Sequence, residues 1–476
     1  MSPSHAAAGR GPRLLAALLA VGSLALGCDA PQPASPARPG LLLLLTVDTL
    51  RADALAAYGG ASSLTPNLDA LAAQSLVFEL AYAPTPFTLP SLAALHTGRY
   101  PVELGLATNL SLLPDGTPTI ASALTERGWK TAGVVSNVVL RDRVDLARGF
   151  EIYDDTMVQE EVIRRWPERI AADTTDAALE VIELWQADPQ TADHPLFLWV
   201  HYQDPHGPYT PPPGWRERFK AGAEAQLGPL ELPEDPSSLG EGGIPAYQMV
   251  DDRHEASFYR AGYEAEVAYM DAELGRLIGA LEERGLYDDA FVVFAADHGE
   301  AMGEHDYWFA HGHHVTDELV RVPLLIRPPG AAPGRRGDVA SLVDLRPTLL
   351  AALTGESPTD GARGRNLLAE GAAATDSVPL LSTLFAYRLR RHGIVSEGYK
   401  LILTYEGDIW SSTLHRLGHE SVDLAAPAPQ VAARLREQLR ELRDSLDGGV
   451  AASSRQLSEK EQRELEALGY LHGPDE

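Results

Sequence analysis

The chain has 476 residues, 45% of them apolar, which is enough for one large α/β domain with a smaller one appended. Its formal net charge of -28 argues against nucleic acid as a partner, because a polyanion would be repelled. Net charge does not decide the fold, which has to come from the pattern of elements along the chain.

The N-terminal segment has the pattern of an export signal. Arg10 and Arg13 precede an apolar run over 14–26, which is shorter than the roughly 20 residues that a membrane-spanning helix needs. A glycine and then Cys28 follow, and this arrangement resembles a bacterial lipoprotein cleavage site. We therefore expect residues 1–28 to be a lipoprotein-type signal peptide and Cys28 to carry a lipid. The alternative is an ordinary signal peptide with an incidental cysteine.

The segment after Cys28 is typical of a flexible tether, since residues 29–40 are rich in Pro, Ala and Ser. We expect an exported protein that its N-terminal lipid holds in the cell envelope, either in the periplasm or at the surface. Cys28 is the only cysteine, so no disulfide within the chain is possible.

Apolar runs and helical patterns alternate after the tether. Residues 258–284 repeat apolar side chains at helical spacing. Short continuous apolar runs favour strands buried on both faces of a parallel sheet. These runs are 41–47, 131–135, 196–200, 291–295 and 324–326. The alternation predicts a doubly wound, mostly parallel α/β sheet with helices on both faces.

Two other regions differ from this pattern. Residues 207–256 are rich in Pro, Gly and Glu and lack periodicity, so we expect a long surface insertion. Residues 399–403 predict a strand of a smaller sheet, and 430–446 predict an amphipathic helix. We therefore expect a main domain over 41–375 and a C-terminal α+β subdomain with a tail over 376–476.

Chemically active side chains follow two of the predicted strands. Asp48 ends the first apolar run, and Asp297 and His298 end a later one. A single Asp at a strand end is more often a turn or capping residue. Because the carboxyl ends of parallel strands meet at one edge of a sheet, however, these three side chains should converge. Two carboxylates and an imidazole predict a divalent metal site.

Histidines crowd two loops as well. His201, Asp204 and His206 follow a predicted strand, and His311 and His313 lie shortly after the Asp-His pair. Loop histidines are often only hydrogen-bonded, so the alternative for each is a structural role.

Thr88 precedes a Pro-Ser step and a helical pattern, and Ser91 is a candidate N-cap of that helix. A helix N-terminus attracts anions. Thr88 would therefore present its hydroxyl at an anion-binding end, where a metal ion lowers the pKa of a hydroxyl.

Several segments, in order over about residues 41–350, resemble sulfatases of the alkaline phosphatase superfamily. They are Val47-Asp48-Thr49-Leu50-Arg51, Thr65-Pro66-Asn67-Leu68-Asp69, Thr88-x-Pro90-Ser91 with Thr97-Gly98-Arg99, Asp204-Pro205-His206-x-Pro208-Tyr209, Asp297-His298-Gly299-Glu300 and Arg321-Val322-Pro323-Leu324. The resemblance implies an alkaline-phosphatase-like fold and metal-dependent hydrolysis of an ester bond.

The chain departs from sulfatases at the reacting residue. Thr88 stands where sulfatases convert a cysteine or serine to formylglycine, so that cofactor is not expected. Leu92 replaces the arginine that steadies formylglycine. Ser136-Asn137 stand where Gly-Lys-Trp-His is expected, and a lysine expected near residues 312–313 is missing. The site has therefore lost much of the positive charge that binds sulfate.

A threonine at this position is similar to phosphodiesterases and phosphoglycerol transferases of the same superfamily. The resemblance implies that Thr88 is the nucleophile and a ligand, beside Asp48, Asp297 and His298, of a divalent ion such as calcium, zinc or manganese. Formylglycine hydrate expels sulfate from a hemiacetal, whereas a threonine ester requires water to attack the phosphorus or sulfur with the help of a general base.

Two of the remaining site residues have roles in proton transfer: we expect His206 to be the acid or base for the leaving group, and His313 is the other candidate base. We expect Asn109 to contact the substrate anion. The residues expected to line the site or to bind a second metal ion are His201, Asp204 and His311. We expect a sulfate- or phosphate-type ester, either a small molecule or an envelope polymer.

Three alternatives stay open. The first is a phosphodiesterase or phosphonate hydrolase, and the second is a transferase that passes a phosphoryl-linked group to an envelope acceptor. The third is a non-catalytic sulfatase-like binding protein. The retained Asp and His residues argue against the third, because unpaired buried carboxylates are costly.

Overall fold

A computed structural model describes residues 40–61, 63–160, 167–235, 237, 239–369, 377–384, 389–407 and 409–446. Cys28, the predicted signal peptide, nearly all of the predicted tether and the tail from residue 447 lie outside the described residues.

The strands, in chain order, are β1 (Leu41–Val47), β2 (Leu76–Tyr82), β3 (Lys130–Val135), β4 (Ile152–Asp154), β5 (Gln159–Glu160), β6 (Pro167–Glu168), β7 (Leu196–Tyr202), β8 (Glu234–Asp235), β9 (Ile244–Pro245), β10 (Phe291–Ala296), β11 (Leu324–Arg327), β12 (Gly334–Ser341), β13 (Ser377–Leu384), β14 (Leu389–Ser396), β15 (Tyr399–Glu406) and β16 (Ile409–Arg416).

The α-helices are α1 (Pro66–Ala72), α2 (Thr88–Thr97), α3 (Ile120–Thr125), α4 (Ala171–Ala187), α5 (Arg216–Leu227), α6 (Ala256–Glu283), α7 (Asp317–Val320), α8 (Leu345–Thr354) and α9 (Pro429–Leu446). Among the described residues, no helix is both long enough and apolar enough to cross a membrane.

The central sheet has the order β12-β2-β11-β10-β1-β7-β3-β4. β1 runs parallel to β10 and β7, and β7 runs parallel to β3. β11 is antiparallel to both of its neighbours, β10 and β2. Every residue of β1 is buried, as expected for a central strand that is covered on both faces. The mostly parallel α/β sheet predicted from the sequence is confirmed.

Helices cover both faces of this sheet. Trp199 and Tyr202 are three residues apart in β7, so their side chains point to opposite faces. The Trp199 ring packs against His96 of α2, with ring centroids 4.3 Å apart. The Tyr202 hydroxyl pairs with the Thr175 hydroxyl of α4 at 2.9 Å. α2 and α4 therefore lie on opposite sides of the sheet.

A smaller antiparallel sheet follows in the order β13-β14-β15-β16, which confirms the predicted C-terminal α+β subdomain. Leu435 and Leu439 of α9 pack on one face, against Leu401 of β15. On the other face, Ile402 and residues of β13 and β14 pack against a cluster that includes Tyr307 of the main domain.

The interpretation of residues 207–256 as a surface insertion is wrong in part. The segment contains α5 and the short strands β8 and β9. Tyr209 is fully buried, and its hydroxyl reaches toward the end of β10, where it contacts Glu300 at 3.1 Å. Outside α5 the segment is irregular, so the buried side chains there follow no period that the sequence could reveal.

Candidate active site

Three side chains converge at the carboxyl edge of the sheet. β1 and β10 are parallel neighbours in which Val47 pairs with Ala296, so the next residues, Asp48 and Asp297, fall side by side. Asp48, Asp297 and His298 are fully buried, and one donor atom from each lies within 4.8 Å of the other two. The sheet register thus brings together the three residues that the sequence predicted as metal ligands.

The donor atoms of this group fit a divalent cation. Asp48 Oδ1 and Asp297 Oδ2 are buried without a hydrogen bond, and His298 Nε2 lies 3.7 Å from each. His298 Nδ1 is 3.0 Å from the Gly299 carbonyl, which only accepts, so Nδ1 carries the proton and Nε2 keeps its lone pair. Two carboxylate oxygens and one imidazole lone pair therefore face one another, a donor set suited to a divalent metal ion.

Within this group of two carboxylates and a neutral imidazole, no positive charge offsets the carboxylates unless a cation is bound. Burial, with the charge of Asp48 beside it, raises the pKa of Asp297 well above its usual value. Burial also acts to raise the pKa of Asp48, but the neighbouring histidines, His206 above all, hold that pKa well below its usual value. Burial lowers the pKa of His298 to about 3, so the imidazole is neutral, as a ligand must be. A divalent ion would stabilise both carboxylates in the ionised form.

Asn137 and His201 lie beside Asp48 Oδ2. Asn137 Nδ2 donates to this oxygen at 2.6 Å. Trp199 Nε1 donates to Thr46 Oγ1 at 2.8 Å, and Thr46 Oγ1 lies 2.9 Å from His201 Nδ1. His201 Nε2 is buried 3.7 Å from Asp48 Oδ2, which is too far for a hydrogen bond. Thr46 therefore holds the His201 ring beside Asp48.

Thr88 is the first residue of α2 and is fully buried. Its Oγ1 lies 3.4 Å from His298 Nε2. The hydroxyl is therefore at the N-terminus of a helix and beside the group of Asp48, Asp297 and His298, which we call the metal group. This is the arrangement that the sequence predicted.

The capping of α2 differs from the prediction. Ser91 is not the N-cap, since the helix begins earlier, and its hydroxyl donates to the Asp297 carbonyl at 2.6 Å. Asn109 Oδ1 accepts from Leu89 N at 2.8 Å and so satisfies one donor of the first turn. Asn109 Nδ2 is buried without a hydrogen bond, which leaves a donor for a substrate oxygen beside Thr88.

Two more histidines, His311 and His206, lie next to the metal group. The His311 ring lies 4.6 Å from the His298 ring and 5.1 Å from the His206 ring. His206 Nδ1 is 2.8 Å from the Gly207 carbonyl, so its lone pair is on Nε2. Burial lowers the pKa of His206, and it lowers the pKa of His311 to about 4. Both imidazoles are therefore neutral near pH 7 and able to accept a proton or bind a cation.

Glu300 was missed as a site residue from the sequence. Its Oε1 faces His311 Nδ1 at 3.1 Å, and its Oε2 accepts from the Tyr209 hydroxyl at 3.1 Å. Burial raises its pKa to about 7. Glu300 fixes the proton of His311 on Nδ1, so it orients that ring. The available signal was its place two residues after His298.

Two predicted residues, Asp204 and His313, make contacts with residues outside this group. Asp204 faces the N-terminus of α4, where its strongest charged neighbours are Glu273 and Asp173, and burial raises its pKa to about 7. The His313 ring stacks on Tyr307 at 5.9 Å, and its carbonyl accepts from Arg391 Nη1 at 2.6 Å. The contacts of Asp204 are therefore at the N-terminus of α4, whereas the loop that carries His313 packs through Gly312 against Phe87, the residue before Thr88.

A family model described as Sulfatase matches residues 41–355. The chain belongs to the sulfatase family. It is 26% identical over 379 residues to the uncharacterised sulfatase YidJ of Escherichia coli, which covers 70% of this chain and 71% of that protein. It is 28% identical over 348 residues to the choline-sulfatase of Rhizobium meliloti, covering 66% of this chain and 67% of that protein.

A solved structure has the same fold. The phosphonate monoester hydrolase of Agrobacterium radiobacter superposes with a TM-score of 0.65, is 23% identical, and covers 86% of this chain and 96% of its own. Membership of the sulfatase family makes this chain a hydrolase that acts on ester bonds.

Proposed function

We propose that the protein hydrolyses a sulfate- or phosphate-type ester with Thr88 as the nucleophile and with Asp48, Asp297 and His298 as ligands of a divalent metal ion. The position of the Thr88 hydroxyl, 3.4 Å from His298 Nε2 at a helix N-terminus, carries this proposal. A divalent ion held by Asp48, Asp297 and His298 would lower the pKa of the hydroxyl beside it and would offset the negative charge of the ester oxygens.

In the first proposed step, the Thr88 oxygen bonds to the phosphorus or sulfur, and the bond to the leaving oxygen breaks. The hydroxyl proton passes to His206 Nε2 and then to the leaving oxygen. His206 suits this role because its other nitrogen donates to the Gly207 carbonyl. Asn109 Nδ2 would hold a non-bridging oxygen of the ester.

In the second proposed step, His206 takes a proton from water as the water oxygen attacks the Thr88 ester. The bond to the Thr88 oxygen breaks, and His206 returns the proton to that oxygen. Atoms and charge balance over the two steps, and Thr88 is regenerated.

Within this class, a phosphoryl substrate is favoured over a sulfate. A formylglycine hydrate expels sulfate by breaking a C–O bond, but the Thr88 ester has no such route. Water must attack the central atom, which is common at phosphorus and less so at sulfur. We therefore place a phosphodiester or phosphonate monoester first among the substrates.

A panel of aryl esters tests the proposal. The metal-loaded protein is assayed with 4-nitrophenyl sulfate, 4-nitrophenyl phosphate, bis(4-nitrophenyl) phosphate and 4-nitrophenyl phenylphosphonate. The last two should turn over fastest. After acid quenching, mass spectrometry should find the transferred group on the peptide that contains Thr88. Turnover with an adduct elsewhere, or turnover that survives Thr88→Ala, would contradict the proposed nucleophile.

A further inference from the structure

A second group of metal-binding side chains lies outside the site described above. Among the described residues, two groups of three His, Cys, Asp or Glu side chains have donor atoms that converge within 4.8 Å, and one is Asp48, Asp297 and His298. The other is His305, Glu318 and Glu420. We propose that this second group binds a zinc ion that ties the histidine-bearing loop of the active site to the C-terminal subdomain.

The three ligands come from three separate segments. His305 is in the turn Glu304–Asp306, Glu318 is in α7, and Glu420 follows β16. The His305 backbone is in the left-handed region, with φ 57°, and its side chain is exposed. Glu318 and Glu420 are half-buried. The site is therefore open to solvent on the histidine side, where an ion can enter.

The carboxylates already have partners, but each oxygen keeps a further lone pair. Glu420 Oε2 accepts from Asp317 N at 2.7 Å, and its Oε1 is paired with the buried Lys400 ammonium. Glu318 Oε1 accepts from the Thr316 hydroxyl. These contacts hold both carboxylates in position before an ion arrives, which reduces the cost of ordering them.

The local charge favours a cation. Lys400 pairs with both Asp317 and Glu420, so it offsets two carboxylates at once. Glu318 adds a third carboxylate to this group, so a divalent ion between Glu318 and Glu420 would offset the negative charge that the single ammonium leaves.

The donor set selects the metal. One imidazole nitrogen with two carboxylate oxygens suits zinc, which accepts nitrogen and oxygen ligands and adds water as a fourth. Calcium takes oxygen ligands only, and more of them. Zinc is therefore the ion that these side chains fit.

A zinc ion here would join parts of the chain that the active site depends on. The segment from His305 leads into His311 and His313, while Glu420 belongs to the C-terminal subdomain. The bound ion would fix the start of this loop against that subdomain. This inference does not depend on which ester the enzyme cleaves.

Zinc titration of the metal-free, full-length protein tests the proposal. His305→Asn removes the imidazole and keeps a residue that tolerates positive φ, so the backbone is not strained. By calorimetry with zinc chloride, the wild type should bind two ions per chain, one for each group. His305→Asn should bind one, and zinc should raise its Tm less than it raises that of the wild type.

The controls separate the two metal groups. His194→Asn changes another exposed histidine, located before β7, and should still bind two ions. Asp297→Asn should lose the other ion and keep the one at His305. If His305→Asn binds as many ions as the wild type, or gains as much Tm from zinc, the second site is refuted. If Asp297→Asn still binds two ions while His305→Asn binds one, Asp297 is not a ligand of a catalytic metal ion, but the site at His305 is supported. Glu318→Gln replaces His305→Asn if the latter does not fold, with the same expected loss.

Discussion

The surroundings of Thr88 separate its chemical role from any structural one. Asn109, not Thr88, satisfies the amide of Leu89 in the first turn of α2, so the Thr88 hydroxyl is not needed to cap the helix. The Thr88 hydroxyl instead contacts His298 Nε2. The side chain is thus placed for reaction more than for folding.

Thr88→Ala should therefore lower turnover by about three orders of magnitude or more, because the covalent nucleophile is lost. The free energy of unfolding should fall by only about 1 kcal/mol. Steady-state turnover of the best aryl ester and circular dichroism measure the two effects. Thr88→Ser, which keeps a hydroxyl, should retain part of the activity. Near-normal turnover in folded Thr88→Ala would mean that water attacks the ester directly.

The metal group gives a second prediction at this scale. Asp297→Asn combined with His298→Ala should abolish turnover and remove the metal ion that this group would bind, because the two residues directly follow β10 and supply two of the three ligands. Metal content by mass spectrometry and turnover are compared with Asp204→Asn, a buried carboxylate at the N-terminus of α4. The control should keep its metal. A double variant that also keeps its metal and its turnover would show that the ligands were misassigned.

The sequence located some site residues and not others for a physical reason. Asp48, Asp297 and His298 each follow a buried strand, and parallel strands bring such ends together. Asp204 sits in an irregular loop, where no period tells which way a side chain points. Glu300 acts through contacts with His311 and with Tyr209, 91 residues away, and one sequence does not reveal such pairings.

At the scale of elements, α6 buries a carboxylate in its middle. Glu266 is 4% exposed, and burial, with the charges of Asp204 and Glu168, raises its pKa well above 4.5. When the pKa of an acid is higher in the folded protein than in the unfolded chain, the acid stabilises the fold fully only at a pH below its pKa in the unfolded chain. Its contribution then falls as the pH rises toward the folded pKa.

Glu266→Gln should therefore be more stable than the wild type above pH 5, by roughly 1–3 kcal/mol near pH 8, because the amide carries no charge to bury. Tm measured at pH 5 and pH 8 checks this expectation, and the difference between the two proteins should grow with pH. Glu264→Gln, on the same helix and less buried, is the matched control. A gap that shrinks as the pH rises would refute the explanation.

The pattern of apolar residues in the sequence predicts some strands of the sheet and not others. β1, β7 and β10 are continuous apolar runs, and the sequence located each of them within a residue or two. β2 alternates irregularly between buried and half-buried positions, and β12 carries the exposed Arg335 and the half-buried Arg336, so neither strand was predicted. The reversed direction of β11 depends on a short connection after α7 that leaves no periodic signal.

For the whole molecule, the N-terminal segment bears on where the enzyme resides. We propose that Cys28 carries a lipid and holds the enzyme in the cell envelope, since an apolar run of signal-peptide length ends there. Cys28→Ala should release the protein from membranes in cell fractionation, because a lipid anchor adds about 0.8 kcal/mol of membrane affinity per buried methylene group. Membrane association that is unchanged in this variant would rule out lipidation at Cys28.

The C-terminal sheet also holds two loops of the active site. Leu381 N of β13 donates to the Pro84 carbonyl at 2.9 Å, just before Thr88, and Arg391 of β14 donates to the His313 carbonyl. The loops on both sides of the reacting hydroxyl thus rely on strands made almost 300 residues after Thr88. A chain still being synthesised or exported has none of these strands and should remain inactive until its last part arrives. Turnover by chains that end at residue 369 would disprove this dependence, whereas recovery on adding residues up to 446 would establish it.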